Sequence, residues 1–251
     1  MKKHMERVLA RLGTWMDDLL FPGDVLCLCC DTALGSDAEN GICASCREAL
    51  DALALAQREA EAQGGLPLPE GIAYMHSAFA YEGPARKLVH RLKYECVRQA
   101  AVPLAEQMAF LPSGEEEIIV PVPTDKRRER RRGFNQSALL AEQIGKTLGM
   151  QVIPALRRVD MRRPQTGLSA RERAQNLVGC MAASDAVSGK RVLLVDDVCT
   201  TGATLCEAAR ALREAGAGHV AVFTAARAKG PESGEEDPFA VRPERPRWGK
   251  R

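Results

Sequence analysis

Residues 192–195 form an unbroken apolar run, the pattern of a strand buried on both faces of a parallel sheet. Short apolar runs recur over 118–122 and 220–224, strand-like content covers 72–81, and Val152 with Ile153 suggests a further short strand. Between these runs the apolar spacing turns helical. It does so over 47–63, 85–92, 98–110, 135–148 and 204–215, the last through Leu205, Ala208, Ala209 and Leu212. Strands alternating with helices predict an α/β fold, a parallel sheet with helices on both faces. Ligands in such sheets sit at the carboxyl ends of strands, which puts residues 123–126 and 196–204 on one rim.

The pattern changes at both ends of the chain. Val8, Leu9, Leu12, Trp15, Met16, Leu19 and Leu20 recur at helical spacing, so residues 1–20 are expected to form an amphipathic helix. Residues 21–66 are expected to hold a cysteine-bearing ribbon and the helix after it, closed by a linker at Gly64, Gly65, Pro67 and Pro69. The main α/β domain is assigned to 67–230. Residues 231–251 are rich in Pro, Glu, Arg and Gly, with few apolar residues, the composition of a disordered tail.

The most informative stretch follows the apolar run at 192–195. Asp196 and Asp197 are expected where that strand ends, and Thr200, Thr201, Gly202, Ala203 and Thr204 form a tight hydroxyl-rich turn into the next helix. A strand, a loop and a helix N-terminus make an anion site, because free backbone N–H groups and the helix dipole converge there. Two carboxylates beside such a pocket are useful when the ligand also offers hydroxyls or a divalent cation. A sugar phosphate offers both.

Four cysteines form a second constellation. Cys27 and Cys30, then Cys43 and Cys46, are two C-x2-C pairs twelve residues apart. Each pair can clamp a metal from a tight turn, and two such turns complete a closed tetrahedral thiolate site, so structural Zn2+ is expected. Cys29 stands beside the first pair and could replace Cys27 or Cys30 as a ligand. Cys96, Cys180, Cys199 and Cys206 show no pairing pattern.

Net charge is only +2, but six of the seven residues from Lys126 to Arg132 are basic. Such a run, with Lys126, Arg127 and Arg128 at its start, can clamp an anionic ligand. It can also meet the backbone of single-stranded DNA, where it would add salt dependence rather than sequence readout. Aromatic residues make up 4% of the chain, which argues against an extended base-stacking platform. No run approaches the ~20 apolar residues of a membrane span. A basic start without a signal-peptide core leaves a cytoplasmic location as the expectation.

The run from Val192 to Thr204 resembles the phosphoribosyl-diphosphate (PRPP) motif of type I phosphoribosyltransferases. The resemblance reaches further. Pro121-Val122-Pro123, Arg132-Gly133-Phe134-Asn135-Gln136, Tyr81-Glu82-Gly83 and Leu92-Lys93-Tyr94 are similar to the ComF family. So are Gln165, Gly167-Leu168-Ser169, Glu172-Arg173, Asn176 and the paired-cysteine ribbon. The similarity runs from about residue 21 to about residue 227.

What the resemblance implies is a type I phosphoribosyltransferase fold behind a zinc ribbon. Asp196 and Asp197 would hold the ribose hydroxyls, and Thr200 to Thr204 the 5′-phosphate. Pro123, Thr124, Asp125 and Lys126 stand where amidophosphoribosyltransferases bind diphosphate, which normally travels with Mg2+. Residues 160–176, with Arg162, Arg163, Arg171 and Arg173, would form a mobile lid. The implied activity is transfer of phosphoribose to an unidentified nitrogen nucleophile, linked to competence and to use of incoming DNA. The alternative is a non-catalytic protein of the same fold that binds single-stranded DNA or a competence protein.

Overall fold

A computed structural model describes residues 26–63, 68, 71–159 and 179–228. The helix expected over 1–20, the lid over 160–176 and the tail over 231–251 lie outside the described residues. In chain order the elements are α1 (Ala44–Ala62), β1 (Met75–Ala80), α2 (Gly83–Tyr94), a 3-10 turn (Arg98–Ala100), α3 (Ala101–Ala109) and β2 (Ile118–Pro121). Then come α4 (Lys126–Arg132), α5 (Gln136–Leu148), β3 (Gln151–Val152), β4 (Leu156–Arg158), β5 (Met181–Ala183), β6 (Arg191–Cys199), α6 (Ala203–Glu214) and β7 (His219–Arg227).

Five strands form one parallel sheet in the order β1-β7-β6-β2-β3. Its central strands are apolar on both sides, and the pleat sorts their residues between two cores. Leu193 and Val195 face the first, with Leu88 and Leu92 of α2, Leu104 and Met108 of α3, and Leu140 and Ile144 of α5. Val192 and Leu194 face the second, with Leu205, Ala208 and Leu212 of α6 and the antiparallel β4–β5 pair through Leu156 and Met181. Such burial on both faces is what a period-two backbone demands of a continuous apolar run.

The cysteine ribbon packs on the first core. Cys27, Ile42, Leu50 and Ala54 belong to it, so the ribbon and α1 share an interior with the sheet. α1 also covers the sheet edge. Glu61 Oε1 accepts the Ser77 backbone N–H of β1 at 3.0 Å, and Glu61 Oε2 lies 2.9 Å from His76 Nδ1. An edge strand with a satisfied N–H is protected from pairing with another chain.

Two expectations change. The strand carrying the acidic pair does not end at Asp196. β6 continues to Cys199, because β7 runs equally far and pairs with it through Asp196–Thr224, Val198–Ala226 and Cys199–Arg227. The β4–β5 pair has no counterpart in the sequence reading, since three-residue strands carry too few positions to display a period.

Candidate functional site

At the carboxyl ends of β2 and β6 lies a cavity of about 380 Å³. Two acidic side chains form its floor. Ser137 Oγ, at the start of α5, donates to Asp196 Oδ1 at 2.8 Å, and the Asp197 backbone N–H donates to the same oxygen at 2.9 Å. Asp197 Oδ1 accepts the Val198 N–H at 2.6 Å and lies 3.0 Å from Lys93 Nζ of α2. The Lys93 and Asp197 side chains are 19% and 11% exposed, so this ion pair is largely withdrawn from water. Burial, and then the like charge of Asp197, push the Asp196 carboxyl up to about 7. Burial alone would depress the Lys93 ammonium; the two carboxylates more than offset it and hold it above its ordinary value.

One wall is the turn from β6 into α6. Thr200 and Thr204 line the cavity. Thr201 does not: its Oγ1 faces the Ala203 N–H at 3.4 Å and caps the helix. Gly202 occupies the left-handed region at φ 76°, where a side chain would be strained, and it lets the loop turn sharply onto the helix. Ala203 contributes backbone to the first turn of α6 and is not among the lining residues. Cys199 is buried, which raises its thiol and keeps it from acting as a thiolate nucleophile.

The opposite wall is built from β2 and α4. Pro123 and Thr124 line the cavity directly. Asp125 instead caps α4, accepting the Arg127 and Arg128 N–H groups at 2.8 and 3.4 Å, while Gly133 at φ 80° closes the other end. Those caps hold seven residues helical although six carry like charge, which by itself disfavours a helix. Helical geometry then divides the basic run. Arg128 and Arg132, one turn apart, line the cavity; Lys126, Arg127, Arg130 and Arg131 are exposed and do not.

Arg132 is 9% exposed, and its Nε is buried without a hydrogen-bond partner. Its guanidinium carbon lies 5.8 Å from the centre of the Tyr94 ring. Burial pulls the Arg132 guanidinium below its ordinary value, against the opposing charge of Asp197. A buried guanidinium with an unused donor, in a cavity wall, is arranged to meet an anion. Tyr81, Gln136 and Arg158 also line the cavity, and Arg158 Nε is fixed by the Pro123 carbonyl at 3.0 Å.

Sequence reasoning assigns no role of their own to Lys93, Ser137 and Arg158, and it treats Arg132 only as a member of the basic run and of a family-like motif. Lys93 lies about one hundred residues from Asp197 along the chain, and no local spacing reports an ion pair between them. Helical periodicity within the run is the one signal that could have singled out Arg132, four residues after Arg128.

The paired cysteines converge at the N-terminal end of α1. The four sulfurs of Cys27, Cys30, Cys43 and Cys46 lie within 4.8 Å of one another, Cys30 Sγ and Cys43 Sγ being 3.7 Å apart. Four thiolates about 2.3 Å from a tetrahedral Zn2+ stand about 3.8 Å apart, close to the Cys30–Cys43 separation. Cys27 Sγ also accepts the backbone N–H groups of Cys29 and Cys43, each at 3.4 Å. The donor set therefore fits a metal ion. Cys29 stands outside this four-sulfur group, buried beside it.

The phosphoribosyl transferase domain family matches residues 130–242. Competence protein F of Haemophilus influenzae is 43% identical over 118 residues, 45% of this chain and 51% of that protein. DNA utilization protein YhgH of Salmonella typhimurium is 38% identical over 152 residues, 57% of this chain and 67% of that protein. The chain belongs to the ComF family. It thus has a type I phosphoribosyltransferase fold behind a four-cysteine ribbon, although it spans only about half the length of the Haemophilus relative. Among solved structures, a glutamine PRPP amidotransferase from B. subtilis matches at 26% identity and a TM-score of 0.38, covering 51% of this chain and 26% of that one. Among the described residues of this ComF protein, no helix is long and apolar enough to cross a membrane.

Proposed function

We propose that this protein binds PRPP in the cavity between β2 and β6 and transfers its phosphoribosyl group to a nitrogen nucleophile. The observation that carries this reading is the Asp196–Asp197 pair, with Lys93 against it, between two anion-seeking walls. The carboxylates suit the ribose hydroxyls, Thr200 and Thr204 suit the 5′-phosphate, and Arg128 and Arg132 suit the diphosphate. Mg2+ arriving with the substrate would neutralise part of the leaving group's charge.

In the transfer, the nitrogen lone pair forms the bond to the anomeric carbon as the carbon–oxygen bond breaks. Diphosphate leaves with that bond's electron pair, and the nitrogen's proton passes to water. Positive charge builds on the sugar in the transition state, above Asp196 and Asp197, which are already oriented by Ser137 and Lys93. The relatives' names, a competence protein and a DNA utilization protein, support a place in the handling of incoming DNA.

A second reading keeps the sugar-phosphate pocket without catalysis and makes single-stranded DNA the main partner. The exposed Lys126, Arg127, Arg130 and Arg131 on the outer face of α4 favour it. We likewise assign structural Zn2+ to Cys27, Cys30, Cys43 and Cys46, where it would hold the two turns of the ribbon together.

Titration calorimetry with PRPP and Mg2+ tests the reading. Wild type should bind, and Asp196→Asn with Asp197→Asn should weaken binding about tenfold or more. Absence of affinity at millimolar PRPP sinks it. A screen of nitrogen nucleophiles for diphosphate release then separates the enzyme from the binding protein.

A further inference from the structure

Helix α2 lies between the cysteine ribbon and the acidic pair, and it carries an ion pair toward each. Asp31 follows Cys30 directly, in the left-handed region at φ 62°. Its backbone is pinned within the knuckle, with Asp31 N donating to Cys27 O at 3.1 Å and Cys27 N to Thr32 O at 2.8 Å. From there its carboxylate receives Arg91 Nη2 of α2, and Lys87 Nζ, one turn earlier, lies 3.7 Å away. Arg91 is 15% exposed, far less than a surface arginine. Two residues on, Lys93 leaves the helix on a different side and reaches Asp197 at 3.0 Å.

The helix between these contacts is tightly held. Ala85, Leu88, Val89 and Leu92 are fully buried in the core that also holds Cys27 and Ile42. The Arg91 carbonyl accepts the N–H groups of Glu95 and Val97, which ends the helix. A rotation or slide of α2 that loosened Asp31–Arg91 would therefore carry Lys93 with it, since packed helices move as units.

We propose that Asp31 and Arg91 are positioning residues for the sugar-phosphate site: through α2 they fix Lys93 against Asp197, which makes the ribbon a working support of the pocket. This rests on the PRPP reading only for its effect on ligand; the coupling itself can be read without ligand. Lys93 draws the Asp196 carboxyl down against burial and the charge of Asp197, which favours its ionised form as an acceptor for hydroxyls. Without it the like charge and burial act unopposed by that ammonium and raise the carboxyl further. The other charged and titratable groups lining the cavity around the pair are Tyr81 and Tyr94, Arg128 and Arg132 of α4, and Arg158 of β4. None of them changes in the variants below.

The test uses the full-length protein with its metal content verified. Arg91→Met removes the pair from the helix side. Asp31→Asn removes it from the knuckle side and tolerates the left-handed backbone; it serves if Arg91→Met fails to fold. Carboxyl carbon NMR, assigned with Asp196→Asn, reads the titration of the acidic pair in the absence of ligand. Both variants should move that titration to higher pH, as Lys93→Met does, and neither should move it further in a Lys93→Met background. Arg91→Lys should restore the wild-type profile. Ribose 5-phosphate affinity should fall about threefold or more in the single variants, again without addition to Lys93→Met. A titration unchanged by Arg91→Met and Asp31→Asn overturns the proposal, as does an effect that persists undiminished without Lys93. If the titration shifts as expected but wild type binds neither ribose 5-phosphate nor PRPP, the positioning holds and the PRPP reading is what fails.

Discussion

Ser137 Oγ donates to Asp196 Oδ1 at 2.8 Å, tying the first turn of α5 to the acidic end of β6. Asn135 caps the same turn, accepting Ser137 N–H at 3.1 Å and donating its Nδ2 to the Val122 carbonyl at 2.9 Å. Three segments distant in sequence are thus locked around one carboxylate. This matters because Asp196 is both buried and beside a like charge, the conditions under which a carboxyl most needs fixed donors.

The first prediction concerns pH. The folded protein holds the Asp196 carboxyl near about 7, chiefly by burial and then by Asp197. In the unfolded chain it titrates near 3.8. Between those values the folded state binds the extra proton, so the Asp196 contribution to stability falls as pH rises through the window. Asp196→Asn removes the charge and keeps an oxygen for both donors. Its melting temperature should exceed wild type at pH 8, and the difference should shrink steadily toward pH 4. A gain that is the same at both ends would remove burial of the charge as the cause.

The second concerns the turn from β6 into α6. Gly202→Val forces a β-branched residue into the left-handed region at φ 76°, at a cost of about 1–2 kcal/mol. Thr200→Val removes one hydroxyl from the cavity wall and leaves the backbone intact. Calorimetry with ribose 5-phosphate should show both variants weakened, Gly202→Val the more severely. Thr201→Val should bind normally, because that hydroxyl caps α6 and does not line the cavity.

The third separates the two faces of α4. Arg132→Met should reduce PRPP affinity about tenfold, since a charge-assisted bond to diphosphate is lost from a buried position. Replacing Lys126, Arg127, Arg130 and Arg131 with Gln should leave PRPP affinity within twofold or so. It should instead flatten the salt dependence of single-stranded DNA binding by about 0.7 logarithmic units per lost phosphate contact. PRPP affinity that follows the outer face and ignores Arg132 would contradict this division.

The fourth concerns the ribbon. Metal analysis should find one zinc per chain after mild purification. Cys43→Ser should lose metal and unfold at lower denaturant, because ligation of such a site is coupled to folding. Cys29→Ser should retain a full equivalent, because that sulfur stands outside the four-sulfur group.

The sequence alone determined the layered α/β plan, since an apolar run such as 192–195 has to be covered on both faces. It determined the paired cysteine turns as well, because two C-x2-C turns carry their geometry locally. It also brought the acidic pair and the hydroxyl-rich turn to one rim, since both sit within a few residues of one strand end. Tertiary structure alone decided what surrounds Asp196 and Asp197. Lys93, Ser137 and Arg132 come from three helices, and their approach depends on how α2, α5 and α4 pack, which no spacing encodes. It decided too which arginines of a uniform basic run face inward, because that depends on the direction in which Asp125 and Gly133 launch and end the helix. And it carried β6 past its acidic pair to Cys199, because strand length is set by the partner β7 as much as by the strand's own residues.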